Sequence, residues 1–402
     1  MSQTTSQPAK VILSKTNRNL LLVLYASAVF FYWVSMYLYV PTLPVYAQTK
    51  TTNLAMIGVV LAQYGLWQAI IRLPLGIAAD WVGWRKPFIL AGFFLAALGA
   101  WLMGYAGTID MMVVGRAVTG FAAATWVLLV VAFSGLFPPE EAVRATALLT
   151  LVNSVGRMLA TGVTGSLNQL GGYTLAFDLA IVAAIFSMAA VLIVPEQRRP
   201  PKTPSLANIG RLISRSDVLV PSILSAIIQY ASWASTFGFI PILAKDLGAT
   251  DVLQSLLTSM NIGVMTVGNL MATTIVKRIG PRNMVYLSFL LMSGGIFLAA
   301  SANVLWMVFA AQAITGMASG IGYPVLMGMS IQKVDERERA TAMGLHQAVY
   351  AIGMFAGPWL SGILANAYGT QPMFTITAIA TFVVGFVGTK WLLSEKKKQT
   401  GG

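Results

Sequence analysis

Apolar stretches recur from end to end of the chain, and short polar segments carrying Gly, Pro and charged residues separate them. Each stretch runs to about twenty residues, enough to cross a hydrocarbon layer roughly 30 Å thick at about 1.5 Å of rise per helical residue. The pattern predicts twelve spanning helices, near residues 22–45, 55–79, 88–106, 110–136, 145–169, 174–194, 218–243, 252–276, 284–301, 304–330, 341–366 and 371–393. The longest polar stretch inside the chain, 195–217, is rich in Pro and basic residues. It predicts a cytoplasmic linker between a bundle over 1–194 and a second over 218–402. A short amphipathic helix around Leu206 to Ile213 is expected there, lying on the membrane surface.

The two parts repeat one another. Trp33, Ser35, Val40, Pro41 and Leu43 of the first span align with Trp233, Ser235, Ile240, Pro241 and Leu243 of the seventh. In the fourth and tenth spans, Arg116-Ala117-Val118-Thr119-Gly120 aligns with Gln312-Ala313-Ile314-Thr315-Gly316, and Arg144-Ala145-Thr146-Ala147 before the fifth span recurs as Arg339-Ala340-Thr341-Ala342 before the eleventh. The expected fold is therefore all-α, with twelve transmembrane helices in two pseudo-symmetric six-helix bundles. Internal repeats of this kind place a binding site near the midplane, where the halves meet.

Composition agrees: 57% of the 402 residues are hydrophobic and 10% are charged, against roughly a quarter charged in a soluble domain. A formal charge of +13 invites a nucleic-acid reading, but all except five of the 26 Lys and Arg fall on segments or span ends of one face. The exceptions are Lys50 and Lys245 on the other face and Arg72, Arg116 and Arg157 inside spans. This asymmetry predicts a multi-pass inner-membrane protein with both termini cytoplasmic and no polyanionic partner. The polar first nineteen residues lack an apolar core and cleavage site, so the first span is expected to serve as an uncleaved insertion signal. No cysteine and a single histidine leave no disulfide, no metal cluster and no catalytic constellation, so neither cofactor nor enzyme activity is expected. A monomer is expected.

The second span closes with Gly76-Ile77-Ala78-Ala79-Asp80-Trp81-Val82-Gly83-Trp84-Arg85-Lys86-Pro87. Asp80 near a helix C-terminus needs a cationic partner against the macrodipole, and Arg85 is the nearest. Gly76 suits close helix approach and Gly83 the turn. The second half repeats this as Lys277-Arg278-Ile279-Gly280-Pro281-Arg282, with Lys277 where the carboxylate stood. The loop resembles the signature between helices two and three of the major facilitator superfamily, and the spans, repeat and linker extend the resemblance over the whole chain. The resemblance implies a secondary transporter working by alternating access. It also implies a conformational latch of Gly76, Asp80, Gly83, Arg85 and Lys86 against the eleventh helix, with Thr341 as a neighbour. Arg116 in Gly115-Arg116-Ala117-Val118-Thr119-Gly120, and Pro41-Thr42-Leu43-Pro44, are similar to motifs of twelve-helix drug:proton antiporters. The fifth span keeps Gly156, Gly162 and Gly165 of those antiporters' glycine and proline motif but has no proline. The fuller version stands in the eleventh, where Gly353, Gly357, Pro358 and Gly362 suit close helix packing.

Tyr64, Gln68 and Arg72 stand at i, i+4 and i+8 of the second span, a polar stripe on one helix face. With Asn261 and Asn269 of the eighth span, and Tyr32, Trp33, Tyr37, Gln229, Tyr230 and Trp233 of the first and seventh, they predict an aromatic, hydrogen-bonding cavity. Arg116 is added as an intramembrane charge. Arg157 interrupts the middle of the fifth span, where neither repeat nor motif requires a charge. Guanidinium groups suit carboxylate or phosphate, so Arg72 and Arg157 favour an anionic or zwitterionic small-molecule substrate. Asp178, Asp110 and His346 are the candidates for a proton-coupling group. Proton-coupled export of a small anionic, zwitterionic or amphipathic compound is the leading expectation. A multidrug:proton antiporter, or an uptake symporter or uniporter for a small organic anion, stands beside it.

Overall fold

The computed structural model describes residues 15–138, 141–195, 206–335 and 338–399, and their regular structure is entirely helical. The first six spans are α1 (Lys15–Tyr37, continuing through Leu43–Gln48), α2 (Leu54–Val82), α3 (Lys86–Gly104), α4 (Ile109–Ala124, continuing through Trp126–Ser134), α5 and α6. The last two share the helical stretch Ala142–Ile193, which breaks at Gly171 and Gly172, the latter at φ 70° and ψ −177°. A φ of this sign is open to glycine without strain, so the stretch is two spans, 142–170 and 173–193. The second set is α7 (Ser216–Ala234, continuing to Asp246), α8 (Asp251–Ile279), α9 (Pro281–Ala300), α10 (Leu305–Ile331), α11 (Arg339–Tyr368) and α12 (Thr370–Gln399). With twelve antiparallel spans, the chain's ends lie at one face, termed proximal here, and the opposite face is distal.

Helix ends follow local chemistry. On the distal side the Asn53 side chain accepts from the Ala55 and Met56 amides at 2.9 and 3.2 Å, and Thr108 and Thr250 cap α4 and α8 from the equivalent position. On the proximal side α2 ends on Gly83 at φ 69°. At 29 residues, α2 and α8 reach about 44 Å, longer than the hydrocarbon layer, so they tilt or project from it.

Packing repeats between the halves. α1 lies along α5 as α7 lies along α11, α2 on α4 as α8 on α10, and α3 on α4 and α6 as α9 on α10 and α12. Glycines set these distances: a Cβ on Gly156 of α5 would come 3.0 Å from the Phe30 carbonyl oxygen, and one on Gly353 of α11 would collide with the Ala226 carbonyl. Gly357 meets α7 in the same way, 2.5 Å from the Tyr230 carbonyl oxygen. Helices in lipid gain nothing from burying apolar side chains against one another, so close approach through small residues carries the association.

The halves meet along two seams, α2 with α11 and α5 with α8. In the distal half of the first seam a Cβ on Gly58 would lie 2.5 Å from the Pro358 carbonyl oxygen and 2.8 Å from the Cα of Gly362, and one on Gly65 would collide with the Met354–Phe355 backbone. In the second, Gly165 abuts the Asp251 backbone and Gly162 faces Ser259, whose hydroxyl donates to the Met158 carbonyl at 2.9 Å. Asn168 ties three helices, donating to Asp251 at 2.8 Å and to Thr42 at 3.0 Å. The distal side is therefore sealed. Gly76 takes no part, because a Cβ there meets nothing within 4 Å, which corrects the expectation of a close helix approach at that position.

Residues 196–205 of the expected linker lie outside the described residues, and Leu206–Ile213 is helical. Its Leu212 is fully buried among Val218, Val334, Ala342 and Leu345, and Arg211 pairs with Glu338 at 3.7 Å. The helix thus packs Leu212 onto the second bundle and leaves Ile213 exposed.

The distal seal yields a direct expectation. In this cysteine-free chain, Ser232→Cys places one thiol on the central cavity, and an impermeant maleimide applied from the distal face should leave it unlabelled. Adding Gly58→Leu should raise the labelling rate about tenfold or more, corresponding to at least ~1.4 kcal/mol lost from the closed form. An unchanged rate would show that the α2–α11 seam does not seal the protein.

Candidate functional site

Between the halves lies a cavity of about 200 Å³. Its distal roof is built from repeat-related positions: Trp33 and Tyr37 of α1 face Trp233 and Phe237 of α7. Both first helices of the halves break here. α1 ends at Tyr37 and restarts in a tight turn over Val40–Thr42, while α7 passes into a wide turn over Ser235–Phe239 before Pro241. Such wide turns interrupt the hydrogen-bond ladder and re-aim side chains. Tyr37 meets Phe237 edge to face at 6.1 Å, and Tyr64 of α2 stacks on Trp233 at 5.1 Å, so aromatic contacts cross the seam above the cavity.

Arg157 projects from α5 with its guanidinium 4.2 Å from the Tyr37 ring centroid and 5.7 Å from that of Trp33. Contacts of this kind contribute about 0.5–2 kcal/mol, against roughly 2.5–3.5 kcal/mol for inserting an arginine mid-membrane. Arg157 forms no ion pair among the described residues, and its Nε has no hydrogen-bond partner. Arg72, only 4% exposed, donates to Gln68 Oε1 at 2.6 Å and to the Tyr350 hydroxyl at 2.9 Å, the second bond crossing between halves. Gln68 in turn donates to the Tyr64 carbonyl at 3.1 Å. The whole stripe Tyr64, Gln68, Arg72 lines the cavity, with Gln229 of α7 and Asn269 of α8.

Four expected cavity residues lie elsewhere. Tyr32 is wholly buried inside the first bundle, its hydroxyl spent on the Ala122 carbonyl at 2.7 Å. Arg116 is 1% exposed behind the wall, 4.3 Å above the Tyr64 ring. Asn261 bonds the Gln312 carbonyl at 2.8 Å and Thr315 at 3.2 Å within the second bundle, and Tyr230 uses its backbone to receive Gly357. Arg116 against Tyr64 and Gln312 against Asn261 are repeat-related. Each half brings its fourth helix to its second, with Gly120 and Gly316 admitting the approach. Both motifs thus hold a bundle together, which is why they stand out in the sequence without touching the cavity.

The proton-coupling candidates also fall outside it. Asp110 is exposed in the first distal turn of α4, and Asp178 accepts from Tyr105 at 3.0 Å on the outer side of the first bundle. His346 is fully buried in the second bundle, its Nδ1 3.0 Å from the Ser222 hydroxyl, with Tyr323 and Tyr350 at ring distances of 6.3 and 6.1 Å. Around the signature loop, Arg85 pairs with Asp80 at 2.6 Å in its own half. Lys86 donates to the Leu192 and Val194 carbonyls at 2.8 and 2.7 Å, closing the end of α6.

Residues not anticipated complete the lining: Trp126, Thr150, Asn153, Ser154, Ser232, Phe237, Met265, Ser319, Tyr323, Tyr350 and Met354. Thr150, Asn153 and Ser154 precede Arg157 at helical spacing, so the face that presents the arginine was readable as polar. Phe237 is the repeat partner of Tyr37. Tyr323 and Tyr350 carry no such signal, since lone aromatics in apolar helices mostly pack or belt the interface. The lining holds two arginines and, among the described residues, no carboxylate.

Two repeated six-helix sets closing around a central cavity define a secondary transporter. The Major Facilitator Superfamily model matches residues 25–221 and again 222–401, and the chain belongs to that family. It is similar to the class H tetracycline resistance protein of Pasteurella multocida, 24% identical over 75% of this chain and 78% of that one. It is also similar to the inner membrane transport protein YajR of Escherichia coli K12, 24% identical over 87% of this chain and 78% of the relative. The solved structure of a bacterial homologue of the human lysosomal transporter Spinster, inward-facing and unoccupied, matches with a TM-score of 0.80 at 15% identity, covering 95% of this chain and 99% of that one. At that identity the match establishes the fold.

The bundle-holding role of the polar pair predicts a separation of effects. Asn261→Ala removes three bonds inside the second bundle and should lower thermal stability in detergent by about 1 kcal/mol, in the range of hydrogen bonds measured in membrane proteins. Substrate affinity of the folded fraction should be unchanged, and a loss of affinity without loss of stability would return Asn261 to the cavity.

Proposed function

We propose that the protein exports an amphipathic organic anion or zwitterion by alternating access in exchange for protons, from an inner membrane in which both termini are cytoplasmic. The observation that carries this reading is the cavity's charge: Arg72 and Arg157 line it and no acid does so among the described residues. A carboxylate or phosphate on the substrate supplies the missing counter-charge, and the bidentate fork of arginine suits either group. An apolar body is favoured by the rings of Trp33, Tyr37, Tyr64, Trp126, Trp233, Phe237, Tyr323 and Tyr350 around it. The sealed distal side, the likeness to an inward-facing structure and the likeness to a tetracycline resistance protein support loading from the proximal face and release at the distal one.

The same aromatic lining supports a second reading, a multidrug:proton antiporter tolerant of many apolar compounds. Charge separates the two, since a site with two arginines and no acid repels lipophilic cations.

The test is proton movement in liposomes of the purified protein under an imposed pH gradient, with small anions, zwitterions and lipophilic cations offered in turn. Saturable proton flux is expected with aromatic carboxylates or zwitterions. Arg157→Ala should reduce kcat/KM by about 10²-fold, the ~2–3 kcal/mol of one charge-assisted bond in a dry site, and Arg157→Lys should recover part of it. A response to cations alone, indifferent to Arg157, would overturn the anion reading and leave the multidrug one.

A further inference from the structure

The signature loop and its copy in the second half differ in charge at three positions, Asp80 against Lys277, Trp81 against Arg278 and Lys86 against Asn283, and the loss of the acid has a consequence in the structure. In the first half Arg85 is neutralised by Asp80 at 2.6 Å. At the repeat-related positions of the second half Lys277 replaces Asp80 and Arg282 aligns with Arg85, while a glycine at positive φ is kept, Gly83 at φ 69° and Gly280 at φ 80°. Arg282 therefore lacks the counterpart of Asp80, and it forms no ion pair among the described residues. Its guanidinium sits 5.9 Å from the Tyr286 ring centroid.

Tyr286 packs at 5.1 Å against Phe386 of α12, and these two rings with Val387 and Lys390 line a crevice of about 280 Å³ between α9 and α12. Lys390 too is without an ion pair among the described residues. The crevice opens at the proximal edge of the bundle's outer wall, where spans leave the membrane. Below it the seam continues apolar and exposed, through Leu290 at 52%, Val383 at 51% and Val387 at 64%. The seam is firmly closed behind, since a Cβ on Gly385 would collide with the Phe289 ring. At the mouth, α9 begins at Pro281, so the Arg282 and Asn283 amides have no acceptor inside the helix and a helix N-terminus adds its positive end.

We infer that this crevice binds an anionic glycerophospholipid, with the phosphate between Arg282 and Lys390 and an acyl chain along the α9–α12 seam. Two cations that form no ion pair among the described residues, at the proximal ends of their spans, complement an anionic headgroup, the aromatic pair beside them suits the interfacial region, and the exposed apolar seam matches a hydrocarbon tail. A soluble anion uses only the first of these features. The site is on the outer wall of the second bundle, away from the central cavity, and stands whether or not the substrate is an anion.

Native mass spectrometry of the full-length protein, delipidated and then titrated with phosphatidylglycerol or phosphatidylcholine, tests this. One tightly retained phosphatidylglycerol is expected, with phosphatidylcholine retained more weakly and inorganic phosphate unable to displace the lipid. Arg282→Gln and Lys390→Gln should each weaken retention about fivefold, the effect of one basic residue at an anionic surface. Val387→Trp, which fills the crevice and leaves both charges, should weaken it as well, so loss is not attributable to charge alone. Thermal melting of each variant shows that it is folded. Equal retention of the two lipids, or full retention in the double Gln variant, would overturn the site.

Discussion

The hydrocarbon interior supplies no water to take up backbone hydrogen bonds, and this constraint shapes everything else in the molecule. It admits only helices of membrane-crossing length here, and it removes the hydrophobic effect as a force between them. Association then depends on how closely backbones approach. Gly156 and Gly353 fix the packing inside each half, whereas Gly58, Gly65, Gly162 and Gly165 fix the packing between halves. The second group lies on the distal side. That placement brings the halves into contact at one face and leaves room for a cavity toward the middle.

Polar residues inside the spans divide by the same logic. Those bonded within a half, Arg116 over Tyr64 and Gln312 with Asn261, replace water by a neighbour and make a bundle rigid. Those between halves, Arg72 with Tyr350 and Asn168 with Asp251, tie the two bundles together, and the alternating access proposed above requires them to break and re-form. Arg157 belongs to neither set. It is held by aromatic faces and by no ion pair among the described residues, which leaves its donors for a ligand.

The repeat is informative where it holds and where it fails. Trp33 with Trp233 and Tyr37 with Phe237 show the roof of the cavity built twice from one plan. The signature loop keeps a glycine at positive φ in both halves and keeps its acid in only one. The surplus positive charge of the second copy lies against an aromatic crevice at the membrane boundary, a place where an unpaired cation finds anionic lipid instead of a carboxylate.

Much of the fold was legible because the bilayer leaves few options. Span length, the basic asymmetry of the loops and the matched Trp, Pro and Arg positions of the halves predicted twelve helices, and the break at Gly171–Gly172 completes that number. The stripe Tyr64, Gln68, Arg72 and the isolated Arg157 were readable because polar groups at helical spacing must turn from lipid. Sequence alone did not decide which polar groups turn to the cavity and which to a neighbouring helix, because both escape lipid equally well. Tyr32, Tyr230, Arg116 and Asn261 were placed on their bundles by helix rotation and crossing, which depend on glycine contacts between distant segments. The same distances brought Tyr323 and Tyr350, silent in the sequence, to the cavity wall, and carried Asp110 and Asp178 away from it.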